Sequence, residues 1–189
     1  MIPTRNDGWA LLTKYTSGQS LLNHGRAVEA ALRGYARRFG EDEELWGIVG
    51  LIHDFDYERW PDAKDHPFRG CEILRALNYP DFMIRAVLSH ADYTGVTRES
   101  LLEHSLFACD EMSGFVTAAA LVRPSRSVLD LEPKSVKKRM KDKAFARSIS
   151  RDDLHLGAEK LRISLDDHIS NVIEFLRKES VELGLGWKS

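Results

Sequence analysis

Apolar positions recur at spacings of three and four along almost the whole chain, the period of helices with one inward face. A first helix is predicted to run from a cap at Asn6 or Asp7 through about Tyr15, with Trp9, Leu11 and Leu12 as its apolar contacts. After the Ser17-Gly18 break, Leu21, His24, Val28, Ala31, Leu32 and Tyr35 form one stripe of a second helix that Gly40 ends. His24 therefore sits on the buried stripe, while Arg26, Glu29, Arg33 and Arg37 are expected outside it. A third helix capped by Asp42 carries Leu45, Trp46, Ile48, Val49, Leu51 and Ile52, and runs out at His53-Asp54.

The stretch 55–65, with Pro61 and several charges, reads as a loop. Helices follow from about Pro67 to Leu77 and from Pro80 to His90, since proline is tolerated in a first helical turn. A long apolar helix is predicted from about Ser100 to Val122, then two final helices near 151–161 and 165–182. β-Branched residues are sparse and no alternating run is bounded by hairpin turns, so the expected class is all-α.

Composition narrows the function. At 189 residues the chain fits a single domain, large enough to bury a core without disulfides. Cys71 and Cys109 lie in helical stretches and form no close-spaced metal motif, so both read as buried reduced thiols. No run reaches the roughly 20 apolar residues of a membrane span, and the N-terminus lacks the pattern of a signal peptide. A cytoplasmic, membrane-free protein is expected. The formal net charge of −2 supplies no general attraction to nucleic acid, so any anion recognition must be local.

The chemistry concentrates at His53-Asp54. Near the end of a helix, neighbouring side chains can reach one ion, and a carboxylate can bridge two. His24 comes from the buried stripe of the preceding helix, and Asp110 from the apolar stretch Leu106-Phe107-Ala108-Cys109. A carboxylate there is costly to bury without a metal or a cationic partner. Each residue also has a plainer reading. A histidine on an inward face is commonly a hydrogen-bonded core residue, His66 can cap the helix after it, and His90 can end its own. His104, His155 and His168 read as surface or packing residues. Asp56, Glu58 and Asp92 read as solvated loop acids, with orientation of a ligand histidine as the alternative, Asp56 foremost.

The series His24, His53-Asp54, Asp110 resembles the H…HD…D pattern of the HD-domain metal-dependent phosphohydrolases. Gly50-Leu51-Ile52-His53-Asp54-Phe55-Asp56 looks like that family's central motif. His66-Pro67-Phe68-Arg69-Gly70 and Val87-Leu88-Ser89-His90 resemble segments that supply further histidines in its two-metal branches. The resemblance covers roughly 20–120. It implies a helical bundle around a metal site, with the basic segment and C-terminal helices of 123–189 added to it. It further implies that His24, His53, Asp54 and Asp110 hold one metal and that His66 and His90 hold a second, with Asp54 bridging. Nitrogen and carboxylate donors without thiolate suit Mn, Fe, Co, Ni or Mg. The cyclic-dinucleotide branch has a lysine two positions after the aspartate and a paired histidine later. Here those positions are Asp56 and Ala91, which argues against that substrate.

The expected function is hydrolysis of a small phosphate ester or nucleotide by metal-activated water, with Asp54 at its centre. Two alternatives come with the same residues: a di-iron oxygenase of the HD type, and a metal-stabilised interaction module without activity. The basic run 134–147 holds Lys134, Lys137, Lys138, Arg139, Lys141, Lys143 and Arg147 against Asp142. It reads as a solvated helix face or as a phosphate clamp in which Lys137 and Lys138 bind substrate. Phe145 is the one aromatic interleaved with these charges, so nucleic-acid binding is not favoured. The substrate's identity and the oligomeric state have no counterpart in the pattern.

Overall fold

A computed structural model describes residues 2–187. Among them are nine α-helices and no strand, in agreement with the all-α expectation. The helices are α1 (Arg5–Tyr15), α2 (Gln19–Phe39), α3 (Glu43–Ile52), α4 (Phe68–Ala76), α5 (Asp81–Ser89), α6 (Leu101–Leu121), α7 (Pro133–Met140), α8 (Arg151–Lys160) and α9 (Leu165–Lys178). The chain divides into two compact units, Met1–Phe107 and Ala108–Ser189. No helix among the described residues is long and apolar enough to cross a membrane. Cys71 and Cys109 are both free and buried, and burial raises both thiols above their ordinary pKa.

The first unit is organised around α3, which packs against α1, α2 and α5. Its residues Trp46, Ile48, Val49, Leu51 and Ile52 are all buried, so α3 is apolar on every side, as a central helix must be. Two glycines bring α2 and α3 together. A Cβ on Gly25 would lie 2.9 Å from the Leu51 carbonyl oxygen, and one on Gly50 would lie 2.9 Å from the Val28 carbonyl oxygen. The backbones therefore meet directly, and His24, next to Gly25, is brought against His53, three residues after Gly50.

Two expectations about the first helices are corrected. The N-cap of α1 is Thr4, whose hydroxyl accepts from the Asp7 backbone N–H while Asp7 bonds back to Thr4. Asp7 is thus the closing member of a capping box rather than the cap. Glu29, expected on the outer face of α2, is 4 % exposed. Its carboxylate accepts from Arg5 Nε at 2.6 Å and from Arg33 Nε at 3.1 Å, so a buried charge is held by two guanidinium groups. The caps at Asp42 and Gly40 fall where the pattern put them, the latter in the left-handed region at φ 74°.

In the second unit α9 buries Ile169, Val172, Ile173, Phe175 and Leu176 along one face and packs against α7 and α8. His168 on the same face donates from Nε2 to the Ala108 carbonyl at 3.0 Å. Burial pushes its pKa down to about 4, the behaviour of a neutral packing histidine. Arg151 fixes the turns after α7 by donating to the backbone carbonyls of Asp142, Phe145, Ala146 and Ile149.

Replacing Gly50 by alanine tests the close approach of α2 and α3. Alanine favours a helix by about 1 kcal/mol over glycine, but here its methyl group meets backbone atoms. Gly50→Ala is expected to destabilise the protein by about 1–3 kcal/mol in urea unfolding, the scale of an overpacked core. A stability gain would show that the backbones are not held in direct contact.

Candidate metal centre

Four histidines and one aspartate meet: one from the second turn of α2, others at the ends of α3 and α5, and one in the loop before α4. His24 Nε2 lies 3.9 Å and His53 Nε2 3.5 Å from Asp54 Oδ2. On the opposite oxygen, His66 Nε2 lies 3.2 Å and His90 Nε2 3.3 Å from Asp54 Oδ1. Two groups with metal-ligating geometry result: His24, His53 and Asp54, and Asp54, His66 and His90. Asp54 belongs to both and gives one oxygen to each.

Local structure fixes which nitrogen each ring presents. His53 follows α3 as its C-cap, and its Nδ1 lies 2.8 Å from the Gly50 carbonyl oxygen. His90 occupies the same position after α5, with Nδ1 2.5 Å from the Val87 carbonyl oxygen. In both cases the partner is the carbonyl three residues back. A carbonyl can only accept, so both rings carry a proton on Nδ1 and turn Nε2 toward Asp54. The negative ends of two helix dipoles, those of α3 and α5, also point at this place, which favours a cation.

His66 reaches the same state through Asp56. Its Nδ1 donates to Asp56 Oδ1 at 2.8 Å, and Asp56 Oδ2 accepts from the Gly70 backbone N–H at 2.8 Å in the first turn of α4. Asp56 is completely buried, so it is not the solvated loop acid of the bland reading but a ligand-orienting one. Gly70 is required here: a Cβ would stand 2.7 Å from the Asp56 carboxyl carbon. The sequence shows Asp56 and Gly70 but not their pairing, which forms across the 55–65 loop. Glu58 does different work: its carboxylate accepts from the Ser17 and Gly18 backbone N–H groups at the start of α2. Arg98 donates to the His90 carbonyl and to Asp92, tying down the turn after α5. Tyr57 stands edge-on to His66, with ring centroids 5.2 Å apart.

Where the Nε2 atoms around Asp54 carry no proton, their lone pairs face those of the carboxylate and repel. Asp54 Oδ1 is buried with no donor in hydrogen-bonding geometry among the described residues, and its neighbours are two imidazole Nε2 atoms. A cation among these atoms removes the repulsion, and the donor set of imidazoles and carboxylate fits a divalent metal. Without metal a proton acts in the same sense. Burial lowers the His66 pKa, but the Asp54 and Asp56 carboxylates on its two sides outweigh it and push it up to about 9. Burial works to raise the Asp54 pKa, yet His53, His66 and His90 together hold it well below the carboxylate range.

His24, His53, Asp54, His66 and His90 are thus brought together in the first unit. Asp110 lies half-buried on the part of α6 that belongs to the second unit and is in neither ligand group. Lys137 and Lys138 are also in the second unit, on α7, where Lys137 pairs with Asp166 at 2.7 Å. Residues 21–114 match the family model described as HD domain. No solved structure matches the chain.

Asp56→Asn keeps the shape of the side chain but removes the charge that holds the His66 proton on Nδ1. Metal affinity is expected to fall about 10–100-fold, the usual effect of losing a ligand's orienting partner. Competition with a chelating dye measures this. Unchanged affinity would mean that Asp56 does not govern His66.

Proposed function

We propose that this chain, a member of the HD-domain family through residues 21–114, is a metal-dependent phosphohydrolase acting on a small phosphate ester or nucleotide. HD domains bind divalent metals, and the His/Asp cluster is of a kind that could hold them. The observation that carries the reading is the division of Asp54 between two histidine pairs. His24 and His53 with Asp54 Oδ2 would hold one ion, and His66 and His90 with Oδ1 a second. Mn, Fe, Co, Ni and Mg suit such donors. When bound, these ions supply the Lewis acidity that polarises a phosphoryl oxygen and makes a water acidic near neutral pH.

The chain's own residues do the rest. Asp54 fixes the spacing of the two positions by belonging to both. The Gly50 and Val87 carbonyls and the Asp56 carboxylate engage Nδ1 of His53, His90 and His66 and so leave Nε2, the nitrogen that faces Asp54, as the one that would ligate an ion. The side chains of His24 and Asp54 are each 23 % exposed, whereas those of His53, His66 and His90 are 0 %, 4 % and 6 % exposed. The ester therefore enters from the His24 and Asp54 side, and the deeper histidines stay sheltered from solvent.

The same donors accept iron, so the di-iron oxygenase alternative is tested in the same experiment. Protein loaded in turn with Mn, Mg, Co, Ni and Fe is assayed against a phosphomonoester panel, with oxygen consumption followed on the iron form. Wild type is expected to release phosphate from at least one ester, a chelator to stop it, and Asp54→Ala to reduce it to background. Turnover that survives Asp54→Ala would contradict the reading. Oxygen uptake without ester hydrolysis would replace it with the oxygenase, and bound metal with neither activity would leave an interaction module.

A further inference from the structure

A cavity of about 360 Å³ lies wholly in the second unit. That falls in the range of small-ligand pockets. Its walls carry Arg123, Ser135, Lys138 and Arg139 beside the apolar Val122 and Leu131. Arg123 follows α6, whereas Ser135, Lys138 and Arg139 come from α7, so the cations converge from different parts of the chain.

These cations are incompletely neutralised. Arg123 binds Asp130 through Nε at 3.1 Å and Nη2 at 2.9 Å, and its Nη1 stands outside that pair. Lys138 has no ion pair among the described residues, and Arg139 is engaged by the Phe145 ring at 5.2 Å rather than by an acid. The acid at the wall, Asp142, turns Oδ1 to the Ala144 backbone N–H at 3.0 Å. The helix dipole favours cations in the last turn of α7. It does not account for their sharing one concave, partly apolar wall with Arg123 and the Ser135 hydroxyl. Low-dielectric walls strengthen the field of the cations within the cavity.

We infer that this cavity is a binding site for a small oxyanion, a phosphate or the phosphate group of a monoester. Arg123, Lys138 and Arg139 supply the charge, and Ser135 supplies a hydroxyl donor. Val122 and Leu131 give an organic substituent an apolar surface. The cavity's lining shares no residue with the Asp54 cluster. Lys138 has this role in its own cavity, while Lys137 is engaged by Asp166.

The test is calorimetric titration of the chelated, metal-free full chain with inorganic phosphate. Saturable binding is expected. The double variant Lys138→Gln, Arg139→Gln should weaken it at least about tenfold, the scale of one charge-assisted hydrogen bond. Lys141→Gln, Lys143→Gln removes the same charge from residues outside the cavity wall and should leave the affinity within about twofold, as expected for screened surface charge. Asp54→Asn should leave it unchanged, separating this site from the metal cluster; thermal unfolding verifies that each variant is folded. No saturable binding to wild type would overturn the inference. So would an equal loss in both double variants, which would indicate diffuse charge only. Phenylphosphonate distinguishes the ligand's source: tighter binding than phosphate points to an ester, equal binding to the free anion, and either result upholds the site.

Discussion

One half-buried carboxylate, its Oδ1 shut off from solvent, governs the first unit. Asp54 sits among four imidazoles, and an ionised carboxylate removed from water is tolerated only where opposite charge or donors meet it. Three of the four rings turn Nδ1 to a carbonyl or a carboxylate and Nε2 toward Asp54, so the nitrogen facing the carboxylate is the one left for a metal or a proton. That arrangement suits a cation among these atoms, and in its place a proton on His66. The surrounding fold maintains it: glycines at 25 and 50 bring two helices into backbone contact, and Gly70 lets α4 approach Asp56.

The same device appears twice, which makes it easier to understand physically. His53 and His90 each end a helix and each satisfy a carbonyl of its last turn, one of the acceptors that a helix end leaves without an intrahelical partner. Ligand orientation and helix termination are therefore one interaction. A substitution at either histidine removes a helix C-cap along with a ligand, so loss of metal and loss of local order are coupled there. Asp56 allows the two to be separated at His66, because its charge can be removed with little change in shape.

Much of this was readable from the sequence because it depends on local period and chemistry. The stripe of α2, the Asp42 cap, the end of α3 at His53 and the helices on either side of the 55–65 loop all follow from neighbours within a few positions. Glu29 was misplaced because its burial depends on Arg5 from another helix, which the period of α2 cannot show. Asp7 resembled a cap because capping boxes carry polar residues at both ends, and Thr4 is the member whose hydroxyl is turned to the helix. The candidate ligands were legible as a series of residue types, but the allocation of one Asp54 oxygen to each histidine pair is a fact of three dimensions. So is the Gly70–Asp56–His66 chain, since nothing in a spacing of four or ten residues reveals a missing Cβ as the condition for a hydrogen bond.

The central claim is that Asp54 joins two ion positions rather than one. Titration of metal-free protein with Mn(II), followed by electron paramagnetic resonance, tests it directly. The account predicts two bound ions per chain and, at full loading, a spectrum of exchange-coupled manganese that reverts to that of isolated ions in His66→Ala and His90→Ala. One uncoupled ion per chain, with the same spectrum in both variants, would contradict it.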